Sequence, residues 1–114
     1  MKLGLVFFPL LLISCAGVGE IPKDRLAQGK TIAFDRNQGN CLACHKIDDG
    51  DMPGNIGPEL NAAVIHKKTK TQLNAMIWDA GRFNPDTSMP PYGRNKVLTS
   101  EDIAKIVDYL RSLP

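Results

Sequence analysis

At 114 residues the chain has room for one domain, and a small one for building an unaided apolar core. Lys and Arg together number 14 against 12 Asp and Glu, a net charge of +2. That balance lacks the basic surplus that nucleic-acid binding draws on.

The first segment, residues 1–16, reads as a secretion leader. Lys2 supplies the charge, and Leu3 to Ile13 is an apolar run too short to span a bilayer as a helix. Leu12-Ile13-Ser14-Cys15 fits a bacterial lipoprotein processing site at which Cys15 is lipidated. Ser14-Cys15-Ala16 fits ordinary cleavage after a small residue equally well. Either route places the mature chain in the periplasm, the first with a membrane tether through Cys15. Residues 17–21 form a short tether, and residues 22–114 form the domain.

Pro22 suits the first turn of a helix over Lys23 to about Phe34. Its apolar stripe is thin: Leu26, Gly29 and Ala33, with Ile32 and Phe34 alongside. Gly29 costs helix stability and needs a reason, either close approach of another helix or a frayed end. Residues 35–39 are turn-like and lead into Cys41-Leu42-Ala43-Cys44-His45.

This C-x-x-C-H is the attachment signature of a c-type haem. On one helical turn, positions i, i+3 and i+4 share a face, so both thiols and the imidazole point the same way. Two thioethers can then hold the porphyrin while His45 reaches the iron. A zinc half-site would need a second ligand pair, and the chain offers only Cys15 and His66 besides. A redox dithiol would need a βαβ setting, and no strong strand pattern is present.

Residues 46–68 show no helical periodicity and read as a loop wrapping the haem edge, with Ile47, Ile56 and Leu60 as its apolar contacts. Lys67-Lys68-Thr69-Lys70 reads as a solvated turn. Thr69 or Thr71 caps a third helix running to Ala80, with Gly81 as its stop signal; Leu73, Met76, Ile77 and Ala80 form the buried stripe. Residues 84–93 are irregular and proline-rich. The last helix is capped by Thr99 with Glu101 and Asp102 in its first turn. Ile103, Ile106, Val107 and Leu110 face inward, Leu113 extends the stripe, and Tyr109 flanks it.

A second axial ligand is sought among His66, Met52, Met76 and Met89. Met52 is too near His45 in sequence, since the intervening chain reaches roughly 24 Å with no slack. Met76 reads as core packing and His66 as a surface residue. Met89 lies outside any helix, and Pro90 and Pro91 stiffen its loop, so it is the preferred ligand; a thioether there favours the ferrous form. The other ring N–H of His45 needs an acceptor, and the Pro58 carbonyl is the candidate, with a plain turn at Gly57-Pro58 as the alternative.

These features together resemble the class I cytochromes c: a glycine-bearing first helix, C-x-x-C-H, Gly57-Pro58-Glu59-Leu60, a methionine loop and a terminal amphipathic helix. The likeness is nearest to the SoxX family, the small monohaem subunits of SoxAX cytochromes. It runs from about Leu26 to the end, through Phe34-Asp35-Arg36, Gly54-Asn55-Ile56-Gly57-Pro58-Glu59-Leu60 and Asn84 to Gly93. The resemblance implies an all-α class I cytochrome c-like fold, three to four short helices and long loops around one covalently attached haem c. It implies Cys41 and Cys44 as thioether positions and His45 and Met89 as iron ligands, with crossing terminal helices that set Gly29 against the Tyr109 region. It also implies a heterodimer with a SoxA-like dihaem or monohaem subunit. That subunit carries the catalytic cysteine of an L-cysteine S-thiosulfotransferase, and the small chain passes electrons from thiosulfate oxidation to a periplasmic acceptor cytochrome. Cys15 departs from the family pattern.

Two other readings stand beside this one. A free-standing monohaem shuttle would use small transient interfaces, often ringed by lysine, which is not concentrated near Cys41. An enzyme acting at its own iron would need an open coordination position, against which Met89 argues.

Overall fold

The C-terminal helix is the post around which the chain is built. In the computed structural model, which describes residues 17–114 together with Met1, Gly4 and Pro9, α4 (Ser100–Arg111) packs against α1 (Lys23–Phe34), α2 (Ala62–Ile65) and α3 (Lys70–Trp78). Cys15 and most of the apolar leader lie outside the described residues. No helix among the described residues is long and apolar enough to cross a membrane. The architecture is all-α; an isolated parallel bridge joins Ile47 to Leu60.

The start of α4 is locally determined. Thr99 Oγ1 accepts from the Asp102 N–H at 3.1 Å, and the Asp102 carboxylate accepts from the Thr99 N–H at 3.0 Å, a reciprocal cap. Ile103, Ile106 and Val107 are fully buried, each contributing about 1.5–3 kcal/mol as an upper estimate. Asp108 and Tyr109 are buried as well, so the helix is enclosed on more than its apolar stripe. Tyr109 therefore does not merely flank the stripe: α1 covers it, and its ring meets Phe34 edge-on at 6.1 Å.

The crossing of α1 and α4 depends on Gly29. A β-carbon at that position would lie 2.1 Å from the Lys105 carbonyl oxygen and 2.9 Å from Tyr109 Cβ. Only hydrogen fits, so the glycine serves close helix approach rather than a frayed end. Asp108, 4% exposed, is held from two helices: Arg25 Nε donates to it at 2.7 Å, and Lys70 of α3 pairs with its other oxygen. Arg25 also reaches Glu101 at 2.5 Å. Burial alone would raise the Asp108 carboxyl, but the hydrogen bonds from Lys70 and Arg25 outweigh it and hold the group below its ordinary value.

Two elements differ from the periodicity reading. The segment 46–68 contains α2, whose four residues are too few to show a period; Asn61 caps it by accepting from the Val64 N–H at 3.1 Å. In addition, α3 stops at Trp78, short of Ala80, because the Asp79 side chain accepts from the Gly81 N–H and starts a 3-10 turn, Ala80–Arg82. Gly81 thus sits inside a second turn instead of ending the helix. Thr69 is the cap of α3, with Gln72 completing its box.

Candidate functional site

The signature residues sit on one tight turn. Asn40 adopts the left-handed conformation (φ 48°), one that asparagine tolerates better than most side chains, and turns the chain out of the segment after α1. Cys41 to Ala43 then form a 3-10 turn, and both the Cys44 and His45 N–H groups donate to the Cys41 carbonyl, at 3.2 and 2.9 Å. Both thiols and the imidazole line the same cavity of about 520 Å³. Burial, helped by the neighbouring Cys44, pushes the Cys41 thiol up to about 11, the mark of an apolar wall.

His45 is oriented by the following loop. Its Nδ1 lies 2.7 Å from the Pro58 carbonyl. A carbonyl can only accept, so Nδ1 is the donor, which leaves Nε2 as the nitrogen able to ligate a metal. Gly57 lets the loop cross the ring: a β-carbon there would stand 2.3 Å from His45 Cε1. The loop is tied to the signature turn by Gly54 N–H to Leu42 O and Gly57 N–H to Cys44 O, both at 2.8 Å. Its apolar residues part company: Ile56 and Leu60 line the cavity, whereas Ile47 is fully buried in the helical core.

The facing walls come from α3 and the proline-rich segment. Leu73, Met76 and Ile77 of α3 line the cavity together with Ala80 of the following 3-10 turn, so Met76 is a half-buried wall residue rather than simple core filling. Met89 also lines it, half-buried, with its N–H donating to Thr87 Oγ1 at 3.1 Å. Met52 is 85% exposed and His66 is exposed; neither reaches the cavity. The fold thus brings Cys41, Cys44, His45, Pro58 and Met89 to one cavity.

Sequence reasoning missed Tyr92, which lines the cavity and whose hydroxyl donates to the Gly39 carbonyl at 2.6 Å. Burial, with the nearby Cys41 and Cys44, pushes its phenol to about 12, so it remains a donor in neutral solution. An aromatic residue next to the methionine loop was its one visible signal; the contact spans too much sequence to be read locally.

The residues fit a covalently held macrocycle. The cavity volume falls within the range of about 300–1,000 Å³ usual for cofactor pockets, its wall surface is mainly apolar, and paired thiols adjoin an imidazole with a free ring nitrogen. Among the described residues no group of three or more His, Cys, Asp and Glu side chains gathers as a metal site. Fold and site together define a small all-α domain that carries haem c.

The chain belongs to the cytochrome c family, whose model matches residues 26–114. It is an electron carrier with one covalently bound haem c. Its structure is similar to SoxXA from P. pantotrophus, with a TM-score of 0.67 and 26% identity, covering 75% of this chain and 79% of that one. The chain is therefore a SoxX-like class I cytochrome c in fold. It is also 28% identical, over 113 residues and 91% of its length, to the Cbb3-type cytochrome c oxidase subunit CcoP of Azospirillum sp. (strain B510). It spans 38% of that protein's length.

Proposed function

We propose that the chain is the electron-accepting subunit of a SoxAX-type complex. In this reading a haem-bearing SoxA-like partner oxidises thiosulfate, and this chain passes the electrons to a periplasmic acceptor cytochrome. The observation that carries the reading is the structural similarity to SoxXA, which covers most of both chains. Cys41 and Cys44 would hold the macrocycle by thioethers, and His45 Nε2 and Met89 Sδ would hold the iron. Haem c supplies a one-electron couple when bound.

The protein's part is to keep that couple in place and shielded. Pro58 fixes the imidazole tautomer and raises its basicity as a ligand. Apolar wall residues, among them Leu60, Ile65, Leu73 and Ile77, would limit the access of water to the bound group. If His45 and Met89 both hold the iron, no open site would be left for substrate, which supports a carrier rather than an enzyme as an isolated chain. Ile56 and Phe83 line the cavity yet are 73% and 58% exposed, so its mouth opens on apolar side chains that a partner can cover.

Co-purification from a native source tests the assembly. A larger haem-bearing subunit that travels with this chain, and without which thiosulfate fails to reduce it, is the expected result; a chain that purifies alone and is reduced by unrelated donors sinks it. The similarity to CcoP favours a second reading, a periplasmic shuttle or carrier domain serving a terminal oxidase. Rapid oxidation by a cbb3-type oxidase would support that one. Export to the periplasm, with or without a lipid on Cys15, is read from the leader. The mass of the mature protein distinguishes an acylated Cys15 from a cleaved one and registers the haem at the same time.

A further inference from the structure

The segment carrying Met89 is anchored at long range by Tyr92. The phenol donates to the Gly39 carbonyl in a buried hydrogen bond of 2.6 Å, joining residues 53 positions apart. The acceptor is fixed: the Gly39 N–H donates to Ile32 O of α1 at 3.0 Å, and the Asn40 N–H donates to Asp35 O at 3.0 Å. Cys41 follows directly.

The donor is fixed too. The Tyr92 N–H donates to Pro90 O at 3.0 Å, and its carbonyl accepts from the Val97 and Leu98 N–H groups at 2.9 and 3.1 Å. The next residue, Gly93, donates to Trp78 O of α3 at 3.1 Å. Between Met89 and Tyr92 stand only Pro90 and Pro91, whose rings lock φ. A shift of Tyr92 therefore carries Met89 with it through a stiff spacer.

We propose that Tyr92 is a positioning residue whose hydroxyl clasps the wall bearing Met89 to the wall bearing Cys41, Cys44 and His45. It thereby sets how firmly the thioether stays on the iron. The proposal rests on the reading of Met89 as a ligand. Tyr109 supplies an internal contrast, for it too is buried, but it does not line the cavity and its hydroxyl faces Asp48 without a well-formed hydrogen bond.

The test compares Tyr92→Phe with Tyr109→Phe in the haem-loaded protein, with imidazole as a competitor for the methionine side of the ferric iron. Tyr92→Phe is expected to bind imidazole at about tenfold lower concentration, the scale set by one buried acceptor left without its donor. Tyr109→Phe is expected to titrate like the parent. If Tyr92→Phe lowers the unfolding midpoint but leaves imidazole affinity unchanged, its role is structural only and the proposal is overturned.

The two readings fail differently. A parent protein without a sulfur-to-iron charge-transfer band refutes Met89 ligation and the clasp with it; a band in both proteins with equal imidazole affinity refutes the clasp alone. If Tyr92→Phe does not assemble, the parent still decides. Its Tyr92 phenolic proton is expected to exchange slowly and to show a nuclear Overhauser contact to the residue 39–40 backbone, and rapid exchange without that contact overturns the proposal.

Discussion

Replacing Gly29 by alanine sets two effects of opposite sign against each other. In an isolated helix alanine is favoured over glycine by about 0.8–1.0 kcal/mol. In the folded chain the new methyl would meet Lys105 O at 2.1 Å, Lys105 C at 2.7 Å and Tyr109 Cβ at 2.9 Å, while ordinary contact begins at 3.4 Å. Two of these atoms are backbone, so no side-chain rotation relieves the overlap. The helices must part by about 1 Å, and a gap of that size forfeits roughly a quarter to a half of the dispersion energy of each contact across it. Overpacking of this kind costs about 1–3 kcal/mol, and a backbone obstruction puts it at or above the upper end. After the propensity gain, the net loss is about 2 kcal/mol. For a domain of this size that lowers the melting temperature by about 8–16 °C. Thermal unfolding of the haem-loaded protein, followed by far-ultraviolet circular dichroism, measures it. A Gly29→Ala protein that melts at or above the parent would refute the close crossing of α1 and α4.

Three further perturbations address the cavity and the ion pairs. Gly57→Ala places a β-carbon 2.3 Å from His45 Cε1 and 2.5 Å from Nδ1, so it should break the Pro58 bond and reduce the yield of low-spin haem protein; a wild-type spectrum and potential would contradict that. Met89→Ala should abolish the sulfur-to-iron charge-transfer band and Met76→Ala should retain it, although both side chains line the cavity; the reverse pattern would move the ligand to α3. Asp108→Asn should destabilise the fold at pH 7 by about 1–3 kcal/mol, below the cost of breaking a fully buried pair because Arg25 is 28% and Lys70 52% exposed. Because the folded Asp108 value is depressed, its contribution is present above the unfolded carboxylate value near 3.9 and is lost as pH falls through the folded value. The difference between parent and variant should therefore shrink in acid, and a gap independent of pH would show that the charge is not what matters.

Spacing within a few residues carries its own geometry. Cys41, Cys44 and His45 fall on one turn wherever the chain goes, and Thr99 with Asp102 closes a cap whatever packs above it. These features, the all-α class, the stripe of α4 and the need for a reason at Gly29 were therefore readable along the chain. The Gly57-Pro58 pair marked the His45 acceptor as a candidate, but a plain turn would have looked the same. The bond at 2.7 Å exists because the loop folds back over the ring.

Other features depend on what comes from far away. Four residues of α2 show no period, so their helix is held by the Asn61 cap and by the contact with α4. Met76 and Ile77 lie on one stripe, and periodicity cannot say that this stripe faces a cavity rather than a solid core. Tyr109 became buried because α1 lies across it, and Tyr92 found Gly39 because two distant segments meet. The linear order determined the chemistry that the chain carries, since ligand spacing and helix capping act over one turn. Only the tertiary structure decided which methionines line the cavity, which tyrosine is bonded and why one helix tolerates glycine, since each depends on groups brought together across most of the chain.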